Sequence, residues 1–154
     1  MNDAVNIVQL VKGLPSRPRG RACIVLTHDY EGQKEWAETL AHQTDSEHIN
    51  LLDLFVKDTN LSNRIGELQV ADLFALLKKL GNTPVLIVSG LEFLKATWTS
   101  QSQVIEQFTS HVETWNQSPC LLFVIQYDPI IATTEFRRFR QYKFVVDQKE
   151  TLAL

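Results

Sequence analysis

Lys34 is the first residue whose placing suggests chemistry. It stands in "IVLTHDYEGQKEWAETLA", residues 24–41, where an apolar run stops at Thr27, a polar turn follows and an amphipathic helix starts near Gly32. A phosphate-binding loop of the pattern G-x-x-x-x-G-K-[ST] occupies this place between a strand and a helix. Its glycines let the backbone wrap around phosphate, the helix N-terminus supplies N–H donors, the lysine adds a point charge and the last hydroxyl meets magnesium. Setting Lys34 on the motif lysine puts Gln33 on the final glycine, Glu35 on the Ser/Thr and His28 on the first glycine, with Gly32 displaced by one place. Asp29 and Glu31 add negative charge, and carboxylates within about 5 Å of a phosphate repel it unless magnesium bridges them. The stretch has the position of a phosphate loop without its chemistry. Its plainer reading is a surface turn with Lys34 solvated.

Two further strand ends carry polar residues. In "VLIVSGLE" an acid after the apolar run would hold magnesium and a following Glu would activate water. Ser89 stands at the acid position, then Gly90, and Glu92 lies two residues on. Glu92 also suits the first turn of a helix, where the dipole favours an acid. "LLFVIQYDP" ends at Gln126, placed to hold a phosphate or water, or to cap the strand end. Lys34, Gly32, Ser89 and Gln126 are therefore the candidates for nucleotide contact, with ATP and magnesium as the ligands they would take. Defects in both halves of the machinery argue against hydrolysis, and the reading without a cofactor is preferred.

"EFRRFRQYK" gathers Arg137, Arg138, Arg140 and Lys143 with Phe136, Phe139 and Tyr142. Arginine beside aromatics suits phosphate contact with base stacking and equally suits a protein interface. It also suits a solvated face over two core phenylalanines. Arg17, Arg19 and Arg21 come before the first strand and should lie at the amino end of the sheet, away from the strand-end loops. Trp98, in "LEFLKATWTSQSQ", fits a lid, a docking surface or a cover for the core. The histidines His28, His42, His48 and His111 lack zinc spacing. Ser89–Gly90 follows a strand, but the G-x-S-x-G elbow of a hydrolase is missing. Cys23 and Cys120 lie in apolar runs and read as buried free thiols.

These residues need elements to hold them. Residues 2–12 space Ala4, Ile7, Val8 and Val11 as an amphipathic helix, and "GLPSRPRGR" at 13–21 is a linker. Apolar runs at 22–27, 84–90 and 120–127 suit buried strands, 49–56 is a further strand candidate, and a last strand is expected at 143–147. Helices are expected from Gly32 onward, over 61–82 with Ser62 as cap and Gly81–Asn82 as stop, over 100–115 with a capping box from Ser100 and Gln103, and as a short helix or turn over 133–141. Alternating strands and helices predict a three-layer α/β sandwich: a mostly parallel sheet of about five strands with helices on both faces.

The 154 residues suffice for one domain with a core. The division expected is 1–16 as N-terminal helix and linker and 17–154 as the α/β domain. A net charge of −3 confines any nucleic-acid role to a local patch. The N-terminus is too short and polar for a signal peptide, and no apolar run reaches membrane-spanning length, so a cytoplasmic protein with no membrane partner is expected.

In this order "RPRGRACIVLT…GQKEWAETLA", "TPVLIVSGLEFL", "PCLLFVIQYDP" and "TTEFRRFRQYKFVVD" resemble an AAA+ or RecA-like P-loop domain across residues 17–147. The resemblance implies a P-loop NTPase-like fold and matches Arg137 or Arg138 to the arginine that reaches a neighbouring subunit's nucleotide. More distantly, the chain is similar to the small accessory P-loop proteins of BREX-type phage-defence operons, which implies a bacterial antiviral role. Three functions stay in competition. One is a non-catalytic accessory subunit that binds a larger protein, such as an ATPase or a DNA-modifying assembly, through Arg137, Arg138 and Trp98. Another is a nucleotide-binding or weakly hydrolysing protein using Lys34 and Gln126. The third is a nucleic-acid-binding module using residues 137–143.

Overall fold

The computed structural model describes residues 4–98 and 102–152. Five strands form one sheet: β2 (Ala22–Thr27), β3 (Glu47–Asn50), β4 (Val85–Ser89), β5 (Cys120–Gln126) and β6 (Val145–Asp147). Their order is β3-β4-β5-β2-β6 and every pairing is parallel. A separate parallel pair joins β1 (Val5–Asn6) to β7 (Thr151–Leu152).

The apolar runs read as buried strands are buried on both faces because helices cover both. Ile24 and Leu26 of β2 and Phe123 and Ile125 of β5 point into one cluster. It is built with α3 (Leu51–Lys57), α5 (Val70–Leu80), α6 (Glu92–Trp98) and α7 (Ser102–Thr114). Cys23, Val25, Leu122 and Val124 point the other way, against α1 (Ile7–Gly13) and α2 (Tyr30–Gln43). Alternation along one strand thus feeds two cores. The fold is the three-layer α/β architecture expected, with the fourth strand of the sheet lying between the first and third.

Several elements differ from expectation. The run 49–56 is not one strand: β3 ends at Asn50, whose side chain caps α3 by accepting from Asp53 N–H at 3.0 Å. Leu51 and Phe55, four apart, then bury one helical face. The helix expected over 61–82 breaks into α4 (Thr59–Ser62), a 3-10 turn at Ile65–Glu67 and α5, so Ser62 ends a helix instead of starting one. The cap of α5 is Gln69, in a capping box with Asp72. Residues 92–98, expected as loop, form α6. The capping box expected from Ser100 lies outside the described residues. Of the short helix or turn expected over 133–141 the structure takes the turn: α8 (Pro129–Ala132) comes earlier, capped by Asp128, and bends and turns follow up to β6.

Candidate functional site at the carboxyl edge of the sheet

In an open parallel sheet, ligands bind beyond the carboxyl ends of the strands. Here those ends are Thr27, Asn50, Ser89, Gln126 and Asp147. Only His28 and Asp29 separate β2 from α2. Asp29 is the N-cap of α2, and its carboxylate accepts from Glu31 N–H at 3.1 Å. The helix N-terminus, which in a phosphate loop would face an anion, carries the chain's own anion. Gly32 follows in the first turn, where a Cβ would lie 2.9 Å from Asp29 Oδ2. Its missing side chain makes room for that carboxylate.

Lys34 sits one turn into α2, exposed, and its Nζ is paired with the Asp53 carboxylate in the first turn of α3. The hydrogen bond to Asp53 raises the Lys34 pKa, and the bond from Lys34 holds Asp53 below the usual carboxylate range. Both groups therefore stay charged and engaged with each other.

Gln33, on the motif's glycine position, is 3% exposed and ties three strand ends together. Its Nε2 donates to Thr27 Oγ1 at 3.4 Å and to Glu92 Oε2 at 3.0 Å, and its Oε1 accepts from Gly90 N–H at 3.2 Å. Glu92 Oε2 also accepts the Gln126 N–H at 2.8 Å. Glu92 thus caps the end of β5 where a magnesium-assisting acid would act, and its Oε1 is buried without a hydrogen-bond partner. Gln126 is exposed at its side chain but held through its backbone. Nearby, Asp128 pairs with Lys95 at 2.8 Å. Burial works against the Asp128 charge, but the Lys95 hydrogen bond and the backbone N–H groups of Ile130 and Ile131 outweigh it and lower its pKa.

Ser89 forms a constellation that local sequence did not reveal. Its Oγ is 2.7 Å from His48 Nε2 and accepts from Asn50 Nδ2 at 3.1 Å; His48 Nδ1 lies 4.0 Å from Glu38 Oε1. A serine, a histidine and a carboxylate in line are the parts of a hydrolase. Ser89, however, is fully buried. The Gly90 N–H, which could serve an oxyanion, donates to Gln33 instead. Gly90 has φ +72°, and a Cβ there would lie 2.6 Å from Asn50 Oδ1, so the chain turns sharply and closes over the serine. Burial lowers the His48 pKa. The group acts as a neutral polar bridge between β3 and β4.

At the other end of this edge, His28 Nε2 meets the Asp147 carboxylate at 2.9 Å and its ring stacks on Tyr127, centroids 5.2 Å apart. Burial opposes the Asp147 charge; the hydrogen bonds from His28 and Lys149 N–H prevail and lower its pKa. Tyr30 at the start of α2, Tyr127 after β5 and Ile130 in α8 leave apolar surface exposed at the same edge.

The basic candidates lie elsewhere. Residues 137–143 precede β6, whose first residue pairs beside Ile24 of β2, so they belong to the amino edge. Arg137 is exposed and paired with Glu135 at 2.8 Å; Lys143 pairs with Glu150 at 3.1 Å. Arg138 and Arg140 are exposed. Arg17 and Arg19 join them: the Arg17 guanidinium lies 4.4 Å from the Tyr142 ring centre and that of Arg19 5.3 Å from Phe139. Trp98 does not lie with these residues. It is 5% exposed and packs on Phe108 within the core. Burial pushes the Cys23 thiol up to about 12, and Cys120 is also buried and free. Among the described residues no three His, Cys, Asp or Glu side chains gather to hold a metal ion, and no helix is long and apolar enough to cross a membrane.

No family model and no curated protein matches the chain. Among solved structures it is similar to that of C. elegans PCH-2, with a TM-score of 0.46 and 10% identity over 92% of this chain. The match spans 41% of the PCH-2 chain, so this chain covers less than half of that protein's length.

Proposed function

We propose that the chain is a non-catalytic, P-loop-like binding subunit of a larger assembly. The observation that carries this reading is the two-residue connection from β2 to α2, with the Asp29 carboxylate at the helix N-terminus accepting the Glu31 N–H where a phosphate would bind. Supporting it, Lys34 is engaged by Asp53, Gln33 fills the glycine position, and Ser89 is sealed under Gly90. A phosphate placed here would meet the Asp29 carboxylate at close range, and the nearby cation Lys34 is already paired with Asp53. Exposed Tyr30, Tyr127 and Ile130 around this closed centre suit contact with a protein. The sequence resemblance to accessory proteins of phage-defence operons suggests the class of partner, a larger ATPase or a DNA-modifying assembly.

Thermal unfolding with and without millimolar Mg-ATP tests the reading, with Lys34→Ala as control. No shift is expected in either protein. Nucleotide at about 100 times its dissociation constant would add roughly 2.7 kcal/mol, raising the midpoint of a chain this size by about 5–10 °C. Such a shift, abolished by Lys34→Ala, would overturn the proposal in favour of nucleotide binding.

A further inference from the structure

Charge is segregated in this molecule. Seven of its 15 Lys and Arg residues fall in two short segments, 17–21 and 137–143, neither of which contains an acid. The fold brings these segments together at the amino edge of the sheet. Gly20 has φ +62°, and a Cβ there would lie 2.5 Å from the Tyr142 ring, so the linker backbone rests directly on that ring. Arg17 stacks over Tyr142 and Arg19 over Phe139. From the other side, Glu113 of α7 accepts the N–H groups of Arg138 at 2.8 Å and Phe139 at 3.3 Å, fixing the loop. Among the described residues Arg17, Arg19, Arg138 and Arg140 form no ion pair with a carboxylate. Four guanidiniums without an ion-pair partner among the described residues thus lie in two segments that meet at one edge of a protein whose net charge is −3.

We infer that this face binds single-stranded nucleic acid. Forked guanidinium donors match phosphate oxygens. Guanidiniums placed over aromatic rings, as Arg17 is over Tyr142 and Arg19 over Phe139, offer surfaces on which unpaired bases stack. A loop already fixed by Glu113 and Gly20 loses little freedom on binding. A protein partner fits less well, because interfaces centre on exposed apolar anchors and Phe139 and Tyr142 are half-buried beneath the arginines. Duplex fits less well too, since groove reading needs a helix or a ribbon and this face is a linker and a loop. A hollow of about 430 Å³ leads from Arg140, Tyr142 and Lys143 toward Asp147 and Glu150. Those acids confine the strand to the amino edge. The inference does not rest on the proposed function: loss of nucleotide binding at one edge and strand binding at the other are independent.

The test is fluorescence anisotropy with labelled oligo-dT and oligo-rU of about 20 nucleotides, titrated at several salt concentrations. Four phosphate contacts predict a log–log salt slope of about −3, or about 50-fold weaker binding between roughly 50 and 200 mM salt. The pair Arg19→Ala/Arg140→Ala should halve that slope to about −1.4 and leave the unfolding midpoint unchanged. The pair Arg17→Lys/Arg19→Lys should keep the slope but bind about fivefold or more weakly, because charge is retained and the planar stack is not. A preference for dT or rU assigns the strand and supports the inference either way. It is overturned by no binding at the lowest salt, by an unaltered slope in the alanine pair, or by duplex binding as tightly. Polyglutamate competing as well as unlabelled oligonucleotide would overturn it in favour of an acidic protein partner.

Discussion

The two ends of the sheet have been treated oppositely. At the carboxyl edge, polar side chains are numerous and nearly all turned on one another: Gln33 on Thr27, Gly90 and Glu92; Ser89 on His48 and Asn50; Lys34 on Asp53; Lys95 on Asp128. At the amino edge the charges are all cationic across residues 137–143, and two of the four, Arg138 and Arg140, have no carboxylate partner among the described residues. A self-satisfied network stabilises a fold and leaves little for a ligand. Exposed cations without a carboxylate partner add little to stability and are available to an anion. Function need not stay at the edge where a parallel sheet usually places it, because the strand-end loops here hold the layers together.

The contrast predicts that damage at the carboxyl edge reads out as stability. Gln33→Ala should have the largest effect. It removes three hydrogen bonds, leaves the Gly90 N–H buried without an acceptor, and opens a cavity. A loss of about 2–4 kcal/mol follows, a fall in midpoint of roughly 5–15 °C, measured by urea or thermal denaturation. Arg19→Ala at the amino edge should leave the midpoint where it was. If Gln33→Ala were equally silent, the network would be incidental and the carboxyl edge would be open to a ligand after all.

Much of this contrast was legible in the sequence, and the part that was not has a physical reason. The runs 84–90 and 120–127 announce themselves because a strand covered on both faces is apolar throughout. The defects around Lys34 follow from charge alone. The run 49–56 misled because a short apolar stretch does not tell strand from helix; what decides is Asn50, whose side chain caps α3. Trp98 beside a polar run fitted either a surface or a cover for the core, and helical spacing from Leu94 turns it inward as the cover. The Ser89–His48 bridge and the meeting of Arg19 with Phe139 join residues far apart in the chain. No local pattern encodes them, because register between parallel strands and the path of the linker place them.

A mid-sized effect is expected from Lys95→Met. The Lys95 and Asp128 side chains are 18% and 12% exposed, so the pair is neither screened like a surface bridge nor fully desolvated. Breaking it should cost about 1–2 kcal/mol at neutral pH, since Asp128 keeps the Ile130 and Ile131 N–H groups as it caps α8. Its sign with pH is fixed. The Asp128 pKa is depressed in the folded state, so the pair's contribution is present above the ordinary carboxylate range near 3.8 and is lost as pH falls through the lower folded value. Wild type and variant should converge in acid. A gap that persists there would mean that Lys95 acts by packing its stem, not by its charge.

The smallest effect isolates His48. Its side chain is 7% exposed, beside Ser89 and facing Glu38, with Lys34 and Asp53 near enough to act on its charge. Burial, the largest influence, lowers its pKa from 6.5; Lys34 acts in the same direction, while Glu38 and Asp53 oppose. The folded chain therefore resists a proton that the unfolded chain accepts. Stability should be full above about 6.5 and decline as pH falls below it toward the folded value. His48→Gln retains an amide that can meet the Ser89 hydroxyl and removes the titration, so its stability should be flatter across the same window even if it is lower overall. Equilibrium unfolding at stepped pH reads both. A variant whose profile is as steep as wild type would mean that His48 is not held neutral, and the closed character of the carboxyl edge at β3 and β4 would fail with it.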